Sequence, residues 1–337
     1  PEEELLAELA ESIALIRDFL RERGASLDDI IIKTGFERNA AIVAAKEAAN
    51  GNDETRKRFE VMCREVFLKF KACINIKGVN QYQAEYGAIN VIYKSLQKDR
   101  EKADMSDIIR QLHQVVDEAI EPWAEYSRED MPEYDISKID FDRLRREFEK
   151  CRTKKTVVQN LKQAIEAKLQ RLLEQNPLRS NFQQHYEEIV AEYNREKDRV
   201  TIEKTFEALF RFVTELDDEV SRAVREGLDE ETLAVYDLIK KPDLSAADIK
   251  RIKAIAVELL ERLKTEKLRV DHWRDKESTR DAVRLAIKDF LWSDETGLPV
   301  NLYDESEVSA KAEDVFIHVF RAYPTVPSPY YAGAGAA

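Results

Sequence analysis

The stretch from Lys154 to Leu244 constrains the fold most, because its apolar residues recur with the period of an α-helix. The clearest case is a single apolar face made by Ile202, Phe206, Leu209, Phe210, Val213 and Leu216. An apolar stripe at this spacing covers one side of a helix and has to be buried against other elements. The stretch is therefore predicted to lie in a packed helical core.

Recognisable stop and start signals separate the helices of this stretch. Asn176-Pro177 ends one helix, because proline lacks the N–H of the helix ladder and pushes the preceding residue out of the helical conformation. Gly227 closes another helix and Asp229 opens the next, in the order of a C-cap followed by an N-cap. These signals predict a succession of separate helices.

Composition extends the helical prediction to the whole chain. Only nine Gly and nine Pro occur in 337 residues, and charged residues make up 36% of the chain. Ala, Leu, Glu, Lys and Arg, which all favour helices, dominate the sequence. We therefore predict an all-α fold with two helical domains, each an irregular multi-helix bundle.

A break near the middle of the chain predicts the boundary between these domains. Pro122, Pro132 and a dense group of acidic residues at 125–135 interrupt the helical pattern. Four segments are predicted: an N-terminal helical spacer domain (1–125), a linker with a basic helix (126–152), a C-terminal helical domain (153–323), and a disordered tail or cloning remnant (324–337).

Short motifs follow one another in a fixed order through the second half of the chain. They include Asn176-Pro177-Leu178-Arg179 with Phe182 and Tyr186, Arg225-Glu226-Gly227-Leu228 with Tyr236-Asp237-Leu238, Trp273-Arg274, and Leu298-Pro299 with Tyr303. In this succession the chain resembles the C-terminal helical region of the R (restriction) subunit of type I restriction enzymes. The resemblance covers about residues 154–323, and the first 125 residues more loosely, as a helical spacer.

The resemblance implies a docking and spacer module rather than a catalytic domain. It would couple an upstream ATP-dependent translocase and endonuclease to the methyltransferase core during cleavage of foreign DNA. The implied partners are the methyltransferase and specificity subunits, together with duplex DNA held without sequence preference. The fragment itself would hold no cofactor, whereas the whole subunit would use ATP and Mg.

The residues themselves supply no recognisable catalytic motif. No glycine precedes a lysine, as a P-loop requires, and no histidine follows a glutamate at the i+3 spacing of a di-iron bundle. Glu166-Ala167-Lys168 has the spacing of a nuclease pair, but on a helix residues i and i+2 point apart. Cys63, Cys73 and Cys151 have neither metal-site nor disulfide spacing. Whether the chain is an enzyme is left open by its residues.

The sequence also bears on location. No apolar run reaches the roughly 18 residues of a membrane span, and the thiols fit a reducing compartment, so we expect a cytoplasmic protein without a membrane partner. The start Pro1-Glu2-Glu3-Glu4 has neither an initiator Met nor the pattern of a signal peptide. We therefore expect the chain to begin inside a longer polypeptide.

One segment departs from the acidic character of the chain. The net charge is −13, yet residues 138–179 hold twelve basic and six acidic residues. Two interpretations stay open, namely solvated helix faces and a ridge that contacts DNA phosphates. The candidate DNA-binding residues are Arg143, Arg145, Arg146, Lys150, Arg152, Lys154 and Lys155. The alternative function is thus a stand-alone DNA-binding or protein-interaction protein that uses the ridge at 138–179.

Overall fold

The computed structural model describes residues 2–102, 105, 107–109, 112, 141–195 and 199–331. Across these residues it contains α-helices and short 3-10 helices, and no strand occurs in the described part of the chain. The predicted all-α fold class is confirmed.

The described helices fall into two series along the chain. The first series is α1 (Glu2–Arg21), α2 (Leu27–Ile32), α3 (Gly35–Ala49), α4 (Asp53–Ala72) and α5 (Gln83–Lys102), with a 3-10 turn at Val79–Tyr82. The second is α6 (Phe141–Lys150), α7 (Lys154–Gln175), α8 (Ser180–Arg195), α9 (Arg199–Val220), α10 (Arg222–Glu226), α11 (Glu230–Ile239), α12 (Ala246–Glu266), α13 (Glu277–Trp292) and α14 (Glu305–Ala322), with a 3-10 turn at Pro177–Arg179.

The predicted stop and start signals are confirmed. The Asn176 side chain accepts a hydrogen bond from the Leu178 N–H at 3.1 Å, where α7 gives way to the 3-10 turn. Gly227 ends α10 with a φ of 69°, a left-handed conformation that suits glycine. Asp229 opens α11 by accepting from the Thr232 N–H at 2.7 Å.

The chain divides into two compact units whose residues alternate along the sequence. Unit 1 comprises residues 1–166 and 186–214, and unit 2 comprises residues 167–185 and 215–337. The first five helices thus share a unit with α6, the first part of α7, and much of α8 and α9.

The sequence-based division places its boundary elsewhere. Residues 113–140, which contain most of the predicted linker, lie outside the described residues, as do residues 332–337 of the predicted tail. The predicted boundaries therefore stay a prediction. Residues 324–331 of the predicted tail are ordered, however, because Ser328 and Tyr331 are buried and the Tyr331 hydroxyl donates to the Gln175 carbonyl.

The core of the first helices in unit 1 is built mainly from α1, α4 and α5. Helix α1 packs on α4, and Phe19 lies 5.4 Å from Phe59 between ring centroids. Ile16 of α1, Cys63 of α4 and Ile92 of α5 are completely buried in the same cluster. Each fully buried aliphatic or aromatic side chain contributes roughly 1.5–3 kcal/mol to stability.

A tertiary cap joins helix α7 to the end of α3 within unit 1. The Glu47 carboxylate accepts from the backbone N–H groups of Lys155 and Thr156 at 2.7 and 2.8 Å. It also accepts from the Thr156 hydroxyl at 2.9 Å. Farther along α7, the buried Lys162 forms an ion pair with Asp53. Because Glu47 satisfies two N–H donors that a helix start leaves unpaired, it fixes where α7 begins, and the Lys162–Asp53 pair holds α7 farther along.

The core of unit 2 surrounds helix α11. Every residue of α11 after its first two is buried, and the helix packs against α12 and α14, while α13 packs on α14. Trp273, between α12 and α13, is 1% exposed and is among the largest buried side chains. The sequence places this helix in the core because it has almost no polar face.

His318 on α14 is a buried titratable group in unit 2. It is 3% exposed, and its Nε2 atom lies 3.2 Å from the Tyr331 hydroxyl. Burial lowers the pKa of His318 from its ordinary value of 6.5 to about 4, because the charged form is poorly solvated there.

We expect this histidine to make unit 2 less stable in mild acid. Between pH 6.5 and 4 the unfolded chain binds a proton that the folded chain does not, so the free energy of unfolding falls as the pH falls. The loss from pH 7 to 4.5 should be about 2–3 kcal/mol. Urea denaturation at both pH values measures it. His318→Gln, which keeps a polar group but cannot titrate, should show a correspondingly smaller difference, and an equal difference would contradict the prediction.

Candidate nucleic-acid interface

Aromatic packing fixes which side of α6 faces the solvent. Phe148 stacks on Phe206 of α9 with ring centroids 3.9 Å apart, and Phe141 lies 5.5 Å from Phe210. Leu144, between them on the same face, is completely buried. The basic residues at the intervening positions therefore lie on the other faces of the helix, where they are exposed.

Two of the predicted DNA-binding residues on α6 are paired with carboxylates. Arg143 donates through Nε to Glu147 Oε1 at 2.8 Å. The Nε atom of Arg145 lies 3.4 Å from Oε1 of Glu207 on α9. Both arginines remain more than half exposed, at 58% and 51%, so these pairs add little stability but do offset the local positive charge.

Lys154 is withdrawn from the surface. Its side chain is 10% exposed, and its ammonium lies 2.6 Å from Glu203 Oε1 and 5.7 Å from the centre of the Phe148 ring. Reaching a DNA phosphate would require Lys154 to leave this partly buried pair, which is costly because Glu203 would lose its counter-charge. Lys154 therefore holds the start of α7 beside α9 and does not face the solvent as the exposed basic residues do.

The other four predicted residues form what we call the basic segment: Arg146, Lys150, Arg152 and Lys155. In the described part of the chain none of the four has a carboxylate within ion-pair distance. Arg146 and Lys150 are four residues apart on α6, so they project from one face about 6 Å apart along the axis. Arg152 is exposed in the turn before α7, and Lys155 is half-buried in the first turn of α7.

The rest of the basic stretch at 138–179 is mostly neutralised inside the fold. Lys162 is buried beside Asp53, and Lys168 pairs with Asp217. Arg179 is 2% exposed. Lys138 lies outside the described residues. Arg171 on α7 is exposed and has no carboxylate partner in the described structure, but it belongs to unit 2. In the described part of unit 1, the basic residues of this stretch that stay unpaired are those of the basic segment.

Other chemistry considered from the sequence has structural explanations. Glu166 accepts a hydrogen bond from the Tyr186 hydroxyl at 2.7 Å, whereas Lys168 of the same motif pairs with Asp217, so the two do not converge. The three cysteines are buried free thiols. Within the described ranges no group of three or more His, Cys, Asp or Glu residues is arranged to hold a metal ion. The acidic residues at 125–135 lie outside those ranges.

None of the described helices is both long enough and apolar enough to cross a bilayer.

Comparison with known proteins gives one match. A family model described as the C-terminal region of type I restriction enzyme HindI endonuclease subunit-like proteins matches residues 1–314. The match includes the first 125 residues, although the short motifs that carry the resemblance lie in the second half of the chain. No curated protein and no solved structure matches the chain.

Proposed function

Because the chain belongs to the family of C-terminal regions of type I restriction enzyme HindI endonuclease subunit-like proteins, we propose that it is the helical docking and spacer module of such a subunit. The module connects an ATP-dependent translocase and endonuclease to the methyltransferase and specificity subunits. ATP and Mg are used outside this chain, in a subunit that works in the cytoplasm. The family match over nearly the whole chain is the observation that carries this proposal.

The basic segment is the part of this module that contacts duplex DNA. Its support is local: four cations on consecutive turns lack carboxylate partners in the described structure, although the chain as a whole is acidic. Arginine and lysine side chains bind DNA mainly through the phosphates, and such contacts position a protein without reading sequence. The overall negative charge makes the expected affinity weak and strongly dependent on salt.

Charge reversal at Arg146 and Lys150 tests this contact. The wild type should bind duplexes of unrelated sequence equally at low salt. Arg146→Glu with Lys150→Glu should weaken binding to every duplex, and removal of two phosphate contacts should reduce the slope of log K against log salt by about 1.8. Fluorescence anisotropy of labelled duplexes over a series of salt concentrations measures both effects.

A matched control separates local contact from net charge. Lys250→Glu with Arg251→Glu makes the same charge change at exposed positions of α12 that likewise lack carboxylate partners in the described structure. This variant should keep the salt slope of the wild type. Equal weakening by both variants would mean that net charge rather than the basic segment governs binding, and would contradict the proposed contact.

Docking is tested separately by co-purification with the methyltransferase and specificity subunits of the same restriction system. The wild type and the control variant should both join this core. Failure of the wild type to join would contradict the docking function. If the Arg146→Glu, Lys150→Glu variant binds duplex like the wild type but no longer joins the core, the basic segment is a protein-docking surface and the DNA contact is wrong.

A further inference from the structure

A small open pocket lies in unit 1 beside the basic segment. Its volume is about 150 Å³, and its wall includes Arg23, Gly51, Asn52, Thr55 and Lys155. One water needs only about 10–15 Å³ of such space, so a tetrahedral anion with some of its hydration fits. Because Lys155 also belongs to the basic segment, the pocket continues that surface.

Arg23 is held in place at one side of the pocket. Its guanidinium lies 3.9 Å from the centre of the Phe19 ring, and Nη1 donates to the Phe19 carbonyl at 3.0 Å. Nη1 also lies 3.5 Å from Oε2 of Glu22, a weak pair because the Glu22 side chain is 71% exposed. The Arg23 side chain is 29% exposed, and its Nε and Nη2 groups have no protein acceptor in the described structure. An arginine fixed in this way loses little side-chain freedom when it binds an oxyanion.

Lys155 supplies a second cation, one that forms no ion pair in the described structure. The nearby Glu47 carboxylate is occupied by the backbone N–H groups at the start of α7, and Asp53 is paired with Lys162. Burial raises the pKa of Asp53, but the Lys162 ammonium together with hydrogen bonds from Asn194 and Gln159 holds this pKa below its ordinary value. Neither carboxylate forms an ion pair with the Lys155 ammonium, so the ammonium can contact a ligand in the pocket.

The polar groups between these cations complete the wall. The Asn52 side chain accepts from the Thr55 N–H at 2.8 Å, so that backbone donor is already used. The Tyr193 hydroxyl donates to the Gly51 carbonyl at 2.9 Å and is also occupied. The Thr55 hydroxyl has no partner in the described structure and is therefore the neutral donor left for a ligand.

We infer that this pocket is a phosphate subsite, in which Arg23, Lys155 and the Thr55 hydroxyl bind one phosphate of the DNA that follows the basic segment. The inference rests on the DNA contact proposed above and adds Arg23 and Thr55 to it. Two cations and a hydroxyl around a cavity of this size match the charge and the acceptor oxygens of a phosphate.

Inorganic phosphate tests the pocket without DNA. At constant ionic strength, phosphate at about five times its dissociation constant should raise the Tm by about 2–4 °C relative to chloride. Phosphate also stabilises proteins generally by exclusion from their surface, so the decisive quantity is the difference between variants. Arg23→Met, Lys155→Met and Thr55→Val should each lose most of the rise, whereas Lys250→Met, at an exposed position of α12 outside the pocket and the basic segment, should keep it.

Duplex binding tests whether the phosphate comes from DNA. Arg23→Met should reduce the salt slope by about 0.9, as Lys150→Met does, because each removes one phosphate contact. An equal phosphate-induced Tm rise in all variants overturns the subsite. An unchanged slope in Arg23→Met overturns the DNA source while the contact of the basic segment stands. If the wild type does not bind duplex at all, both the DNA source of the phosphate and the DNA contact of the basic segment are wrong, even if phosphate still raises the Tm.

Discussion

Replacing Trp273 with alanine is expected to lower the free energy of unfolding by about 3–5 kcal/mol. The ring is 1% exposed, and its Nε1 atom donates to the Tyr323 carbonyl at 2.9 Å. The ring also packs edge-to-face against Phe320, with the ring centroids 5.9 Å apart. Trp273 lies between α12 and α13 and contacts residues at the end of α14. Alanine would therefore open a cavity where these three helices of unit 2 meet.

Chemical denaturation followed by circular dichroism measures this loss without relying on tryptophan fluorescence. Trp292 at the end of α13 is 37% exposed and provides a control, since Trp292→Ala should cost clearly less. Trp273→Phe keeps most of the apolar volume but removes the N–H donor, so it should fall between the two. A loss within about 0.5 kcal/mol for Trp273→Ala would show that the ring is a surface residue.

Removal of the buried Arg179 side chain should be about as damaging, at roughly 3–5 kcal/mol for Arg179→Met. Its Nε atom lies 2.9 Å from Glu219, and Nη2 lies 3.0 Å from Glu230. The arginine is 2% exposed and each glutamate side chain is 13% exposed. Without the guanidinium, the nearly buried Glu230 would have no counter-charge, and Glu219 would keep only Arg222, whose Nε lies 3.0 Å from it. An unpaired carboxylate at a buried position is costly, because it is poorly solvated there.

Neutralising the glutamates tests this cause directly. Arg179→Met combined with Glu219→Gln and Glu230→Gln should recover part of the stability lost in Arg179→Met alone. Arg225→Met provides the surface comparison, since Arg225 is 56% exposed and lies 3.9 Å from Asp218. It should cost no more than about 1 kcal/mol. If the triple variant is less stable than Arg179→Met, the penalty comes from lost packing rather than from unpaired charge.

The helical fold could be predicted from the sequence because its signals are local. Gly227 and Asp229 act on backbone groups within a few residues, so their effect does not depend on the rest of the chain. Trp273 is similar, since a large ring between two helical patterns indicates a buried contact. The Tyr323 carbonyl that it meets is 50 residues away and was not predictable.

The candidate interface could be predicted only as a set of basic residues. Lys154 and Lys155 are identical and adjacent, yet Glu203, 49 residues away, neutralises the first of them only. Which member of such a pair stays free depends on how α9 packs, and composition carries no information on that. No sequence pattern indicated that Arg23 belongs to the site, because Arg23 and Lys155 line the same pocket only in the folded unit.

The hydrogen bonds that Glu47 accepts from the start of α7 span more than 100 residues of sequence and have a consequence for synthesis. Unit 1 draws on residues up to 214, so a ribosome that has released the first five helices has not yet supplied all of their partners. Contacts this distant in sequence form late and slow folding, since a long loop must close first. A polypeptide truncated after residue 125 would therefore leave Glu47 and Asp53 without α7, and its instability would say nothing about the intact unit.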